Sequence, residues 1–333
     1  MDQITLISSD DIESLPYHIR FTACNLPFIA RTLYVIPNDM TVRDRVRSII
    51  EDRTRAERSR IVVIDEESIV PSSVCENKWI YQQLVKLAIS TLRESHRLSE
   101  PFLFTDIDTI CVRRVAEGDL IREGKYVFWI AHYGHEPAYF DTTFKRTTTL
   151  KRLPAIDGNT ASWLMSFSWC AQALLGLKEL PAVSAVNACV LWSSTVLTGL
   201  RYMVEKRFGK PFNECVLDSF RAFIKEHNDH FYEYKGYRRI VMSYYGGEGL
   251  VKGDYDDEYY FRNVRLGFSE WQLYTLFLSM LQRHPYVFHF QPPHTNEFIA
   301  EFNAEVQNIE ILQAAIASAE QGGRRCHFIN FYP

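Results

Sequence analysis

No run of apolar residues in this sequence approaches the roughly 18 that a membrane-crossing helix requires. The opening residues, Met1-Asp2-Gln3-Ile4-Thr5, lack the basic head and long apolar core of a signal peptide. The seven cysteines (24, 75, 111, 170, 189, 215 and 326) are scattered, odd in number and never spaced Cys-x-x-Cys. That pattern excludes a disulfide framework and points to reduced thiols in a cytoplasmic protein. A basic excess is also missing: the net charge is −4, which argues against nucleic acid as the main partner. Internal repeats, low-complexity tracts and linker-like composition shifts are absent too. One domain over residues 1–295 is therefore expected, with residues 296–333 as a C-terminal helix and tail packed on it. Peripheral contact with a membrane, at its inner face, stays open.

What remains is an ordinary globular composition with an aromatic surplus. At 333 residues the chain has room for one large α/β domain or two smaller ones. A hydrophobic share of 47% against 23% charged residues suits a soluble core. With 18 Tyr and 22 Phe, much of the aromatic content must be core, although flat sugar faces also stack on such rings.

Hydrophobic patterning sets the rhythm. Ile4–Ser9, Thr32–Pro37 and Arg60–Asp65 read as strands. The intervals between them are too long for hairpins, as crossovers in a parallel sheet require. Asp10-Asp11 reads as a helix cap after the first strand. Arginines crowd residues 41–60 among acids, which suggests a solvated helix face with internal ion pairs, or else a surface for anionic lipid or polymer. From Asn77 a helix is expected, with Ile80, Leu84, Leu87, Ala88 and Thr91 on one stripe and Lys86 beside it. Later strands are expected at residues 126–131, 183–192 and 285–290. Helices are expected near 195–208 and 214–227, from Ser269 through Leu281, and over about 296–320. Residues 132–162 and 244–261 read as loops.

The stretch most at odds with simple packing is Pro101-Phe102-Leu103-Phe104-Thr105-Asp106-Ile107-Asp108-Thr109-Ile110. An apolar strand ends in two acids one residue apart, so both carboxylates can project the same way from the strand end. No Gly, Pro or Asn marks a turn there. Carboxylates in such a run cost desolvation unless something pairs them. In an open α/β sheet the carboxyl ends of the strands are where ligands bind. Two close anions suit a hard divalent cation, Mg²⁺ or Mn²⁺, and the Lys86 ammonium could reach the same place. The plain alternative is a solvated turn.

Several pieces together resemble one family. The helix Trp79–Leu87 leading into Phe104-Thr105-Asp106-Ile107-Asp108-Thr109 resembles bacterial GT-A type glycosyltransferases. With Ser184-Ala185-Val186-Asn187 and Phe268–Tyr274, the chain is most similar to a glycosyltransferase-like family linked to polysaccharide synthesis. The resemblance implies an α/β fold of the GT-A (Rossmann-like) kind, a mostly parallel sheet flanked by helices with a C-terminal helical extension. It implies a nucleotide-sugar donor and a glycan or lipid-linked acceptor. Mn²⁺ or Mg²⁺ would bridge the donor diphosphate to Asp108 and Asp106, with His289 as a further metal ligand and His294 the next candidate. Lys86 would assist at the phosphates. Ser8 and Asn187 are the remaining expected donor contacts. Glu270, at a helix N-terminus, would be the base that deprotonates the acceptor, its pKa held low by the helix dipole. The family pattern tends to carry histidines just after Asn187, where this chain has Ala188 and Cys189.

Two other readings fit some of the same residues. Phe104-Thr105-Asp106-Ile107-Asp108-Thr109 also looks like the nucleophile motif of haloacid-dehalogenase-type phosphatases, with Asp106 as nucleophile, Asp108 as the catalytic acid/base and Gly253-Asp254-Tyr255-Asp256-Asp257 as the acidic metal motif. Against it, three strands precede this one, and Ile110 stands where that motif has Thr or Val. A sugar-binding relative without turnover is the third reading, supported by the residues after Asn187.

Overall fold

The computed structural model describes residues 1–132, 167, 169–177, 184–186, 189–227, 231–234, 237–240, 268–281, 285–291, 299–302, 309–321 and 326–331. The strands in chain order are β1 (Asp2–Leu6), β2 (Arg31–Ile36), β3 (Ile61–Asp65), β4 (Phe102–Asp106), β5 (Thr109–Cys111), β6 (Ile121–Arg122), β7 (Lys125–His132), β8 (Ser184–Val186), β9 (Cys189–Trp192), β10 (Phe231–Tyr234), β11 (Tyr237–Ile240), β12 (Tyr286–Gln291), β13 (Ile299–Phe302) and β14 (Phe328–Phe331). The longer helices are α1 (Leu15–Asn25), α2 (Met40–Glu51), α3 (Lys78–Ala88), α4 (Ser194–Phe208), α5 (Phe212–His227), α6 (Glu270–Met280) and α7 (Ile309–Gln321).

The fold is mixed α/β, with a mostly parallel central sheet flanked by helices. That sheet runs β3-β2-β1-β4-β9; its first four strands are parallel and β9 closes it antiparallel to β4. The expected strands at residues 4–9, 32–37 and 60–65 are β1, β2 and β3. β1 and β4 are nearly continuous buried runs, as strands covered on both faces must be. Register places Leu6 beside Asp106, so the acid stands at the carboxyl end of the sheet next to the exit of β1. β12 and β7 form a second, parallel pair, with β6 and β8 alongside.

Helix α3 starts where its sequence says it should. Asn77 accepts the backbone N–H of Ile80 at 3.1 Å, filling an otherwise orphaned donor. Ile80, Leu84, Leu87 and Ala88 are buried, and so are Gln83 and Lys86. Each buried leucine contributes about 1.5–3 kcal/mol relative to exposure. Ser269 caps α6 in the same way, accepting from Gln272 N.

Four local expectations are corrected. Asp11 does not cap a helix through its side chain; α1 begins at Leu15 after a short 3₁₀ turn, and Asp11 instead accepts the Ser8 hydroxyl. Ile107 and Asp108 form a turn, after which β5 leaves the central sheet to pair with β14. Residues 183–192 split into β8 and β9, which belong to different sheets. At the C-terminus, residues 299–302 are a strand and the helix begins only at Ile309; β14 then returns to pair with β5. The loops expected at residues 132–162 and 244–261 lie, but for His132 in β7, outside the described residues.

The arginine-rich stretch carries ion pairs, of which one stays inside it and two reach beyond it. Arg43 pairs with Asp65, Arg45 with Glu13, and Arg47 with Asp44 at 3.7 Å. Arg60 donates to the Ile29 carbonyl. No helix among the described residues is long and apolar enough to cross a membrane.

Candidate active site

Three chain segments meet at the end of β4. Strand β4 delivers Asp106, the last turn of α3 delivers Lys86, and the first residue of α6 delivers Glu270. Lys86 Nζ lies 2.9 Å from Asp106 Oδ1 and 2.8 Å from Glu270 Oε1. It also stands 5.7 Å from the centre of the Phe104 ring, within reach of a cation–π attraction. Lys86 is 7% exposed and Glu270 2%, while the Asp106 side chain retains 26%, so the cluster is dry on one side and open at the aspartate.

Packing fixes these positions. Trp271 and Tyr274, one turn into α6, sit against Trp192 with ring centres 4.8 Å away in each case, and Phe104 stacks on Trp192 at the same distance. The Tyr274 hydroxyl accepts the Ser193 N–H at 3.1 Å and lies 2.6 Å from the Tyr286 hydroxyl. The Trp79 indole donates to the Phe268 carbonyl at 3.1 Å, tying α3 to the entry of α6. Glu270 is thereby held against α3. Gln83, one turn before Lys86 and on the same helix face, sets its amide against Glu270; assigned the orientation that its neighbours require, with nitrogen toward the carboxylate, it donates to both oxygens, at 3.1 Å for Oε1.

The electrostatics follow from burial. Burial works to lower the Lys86 pKa, but Asp106 and Glu270 outweigh it, so the ammonium is held charged. Burial pushes the Glu270 carboxyl above the usual range, Lys86 pulls it back and Asp106 adds to the rise. Desolvation therefore overrides the helix dipole that the sequence suggested would hold this pKa low. Asp108 is half-buried by its surface exposure; burial raises its pKa well above the ordinary value, Asp106 and then Asp11 raise it further, and Lys86 opposes.

The sequence candidates divide clearly. Asp106, Lys86 and Glu270 are brought into direct contact, and Asp108 and Asp11 lie close enough to feel the same field. Ser8 stands at the exit of β1, bonded to Asp11. His289 belongs to β12, paired with Trp129 of β7, but its side chain, like Asn187, Ala188, His294 and Gly253–Asp257, lies outside the described residues. Sequence reasoning missed Gln83 and Asp11. Neither carries a motif of its own: Gln83 is buried on α3 beside the neighbouring Gln82, and its partner lies on α6.

Among the described residues no three His, Cys, Asp or Glu side chains converge as a ready metal cage. The donor chemistry nevertheless fits a hard cation. Asp106 and Glu270 flank the Lys86 ammonium with Asp108 and Asp11 close by, and oxygen is the element Mg²⁺ and Mn²⁺ prefer.

Residues 19–299 match the model of a family of unknown function (DUF6492). The chain belongs to that family. No curated protein matches this DUF6492 member. Among solved structures, it is similar to the galactosyltransferase LgtC in complex with donor and acceptor sugar analogs, at 10% identity and a TM-score of 0.40, covering 99% of this chain and 87% of that one. An active-site mutant of LgtC, with glutamate in place of a glutamine, is similar at 10% identity and 0.38, with the same coverage. Core-mannan synthase A from Aspergillus fumigatus in its Mn/GDP form is similar at 11% identity and 0.32, over 84% and 85% of the two chains.

Proposed function

We propose that this protein is a metal-dependent glycosyltransferase that moves a sugar from a nucleotide-sugar donor to a glycan or glycolipid acceptor in cell-surface polysaccharide synthesis. One observation supports this reading above the rest. The Asp-x-Asp carboxylates stand at the carboxyl end of a mostly parallel sheet with a buried lysine fixed beside them, where a diphosphate and a divalent cation need opposite charges side by side. The motif order that resembles glycosyltransferases supports the same conclusion.

In this reading Asp106 and Asp108 hold Mn²⁺ or Mg²⁺, with His289 as a further ligand. When bound, the metal supplies Lewis-acid neutralisation of the charge that builds on a departing nucleoside diphosphate. Lys86 adds a fixed positive charge at the same phosphates, as a buried ammonium whose position three neighbouring groups determine. Ser8 and Asn187 contact the donor. Glu270 is the candidate base for the acceptor hydroxyl; its raised pKa brings it toward the range that proton transfer at neutral pH favours. Its oxygens are shared with Lys86 and Gln83, so in the resting site it also serves as the counter-ion of Lys86.

The test is a panel of nucleotide-sugars incubated with the protein and Mn²⁺, followed by release of nucleoside diphosphate. Slow, Mn²⁺-dependent hydrolysis of one donor is the expected result. Nucleotide binding without any turnover would make the protein a sugar-binding relative. A beryllium fluoride adduct on Asp106, the mimic of a phosphoaspartate, would instead make it a phosphatase.

A further inference from the structure

Lys86 and a divalent cation have use for the same aspartate. In this structure Asp106 directs Oδ1 at the ammonium, 2.9 Å away, and Oδ2 lies 3.2 Å from it, so both oxygens are engaged. The ammonium has a second anchor that does not depend on Asp106, because Glu270 Oε1 lies 2.8 Å from it. Glu270 is itself pinned by Gln83 and by its place at the start of a helix wedged against Trp192 and Phe104. Lys86 can therefore give up Asp106 and keep a buried counter-charge, whereas an ammonium with one partner could not.

We propose that Lys86 is the resident counter-cation of Asp106, that a divalent metal must compete with it, and that the Gln83–Glu270 pair keeps the yielded ammonium beside the site, where it can bind a diphosphate. The proposal rests on the metal-site reading above. It gives α3 and α6 a task beyond packing: they hold a positive charge that is silent while Asp106 neutralises it and available once Asp106 is otherwise engaged. Metal and nucleotide then raise each other's affinity, by the reciprocity any such coupling obeys.

The charges give each variant its own sign. Lys86→Gln removes the competing charge while leaving an amide to donate to the two carboxylates. It should tighten Mn²⁺ binding in the absence of nucleotide by about tenfold or more, and at the same time weaken uridine or guanosine diphosphate binding measured at saturating Mn²⁺. Lys86→Arg keeps the charge and should leave Mn²⁺ affinity within about threefold. Glu270→Gln takes away the second anchor, so the ammonium stays on Asp106 and Mn²⁺ should bind several-fold more weakly.

The experiment is a Mn²⁺ titration of the full chain, read by the electron paramagnetic resonance signal of free Mn²⁺, on wild type, the three variants and Asp108→Ala. Circular dichroism checks that each is folded, and Glu270→Gln carries the test alone should Lys86→Gln fail to fold. Opposite shifts for Lys86→Gln and Glu270→Gln support the proposal. Equal affinities in wild type, Lys86→Gln and Glu270→Gln, with binding lost only in Asp108→Ala, overturn it and leave the metal site standing. No Mn²⁺ binding by any of the proteins overturns both.

Discussion

His18 gives a prediction whose size can be worked from its surroundings. It is buried beneath the central sheet, with Nδ1 2.9 Å from the Tyr34 hydroxyl and Nε2 3.4 Å from both the Thr105 hydroxyl and the Gln3 amide nitrogen. Thr5 and Thr105 bond to one another at 2.8 Å and Gln3 donates to Thr105 at 2.9 Å, so the imidazole completes a polar network shared by β1, β2 and β4. No carboxylate reaches it among these contacts. Burial lowers its pKa from the ordinary 6.5 to about 3. The folded state thus keeps His18 neutral while the unfolded chain takes up a proton below pH 6.5. Folding stability is fully present above that pH and declines as pH falls toward 3. At 1.36 kcal/mol per unit, the 1.5 units between 6.5 and pH 5 correspond to a loss of about 2 kcal/mol. Urea unfolding at pH 7.5 and pH 5.0, on wild type and His18→Gln, isolates this share from that of the carboxylates. Wild type should lose about 2 kcal/mol more than the variant between the two pH values. Equal losses in the two proteins, or a protonated His18 ring seen by NMR at pH 5, would refute the reasoning.

Further predictions follow from the same contacts. Gln83→Leu leaves both buried Glu270 oxygens without their amide donor, and thermal or urea unfolding should show a loss of about 1–3 kcal/mol. Leu84→Ala opens a cavity under α3 and should cost about 2–5 kcal/mol in the same assay, with nucleotide affinity changing only as far as the fold does. Glu270→Gln should lower the rate of sugar transfer, measured at saturating donor and Mn²⁺, by about 10²-fold if it is the base; unchanged turnover would leave it with the charge-holding role alone.

Much of this architecture could be read before any coordinates, for a definite reason. β1, β2 and β4 are apolar runs of strand length separated by crossovers, and the helix stripe Ile80, Leu84, Leu87 and Ala88 is periodic, so local pattern and tertiary burial agree. Lys86 was legible because it falls beside that stripe and feeds the acidic strand end. The rest depended on contacts distant in sequence. Gln83 meets Glu270 across the α3–α6 interface, and no pattern within either helix announces it. The turn at Ile107-Asp108 contains no Gly, Pro or Asn; β5 is drawn away by β14 from the far end of the chain. β8 and β9 look like one run because alternation does not record which sheet each half joins. The helix-dipole argument for Glu270 failed for a related reason: it weighs a local field and omits burial, which here is larger.

The central claim is that Asp106 and Asp108 serve a bound cation at the mouth of the sheet. It is tested most directly by titrating uridine and guanosine diphosphate, with and without Mn²⁺, into wild type and Asp108→Ala while following heat release and the melting temperature. The account predicts Mn²⁺-dependent binding in wild type and none in the variant. The melting temperature should be unchanged or slightly higher, since the lost carboxylate is one that Asp106 and Asp11 repel. A variant that still binds the nucleotide with Mn²⁺, or one that loses much of its stability, would contradict it.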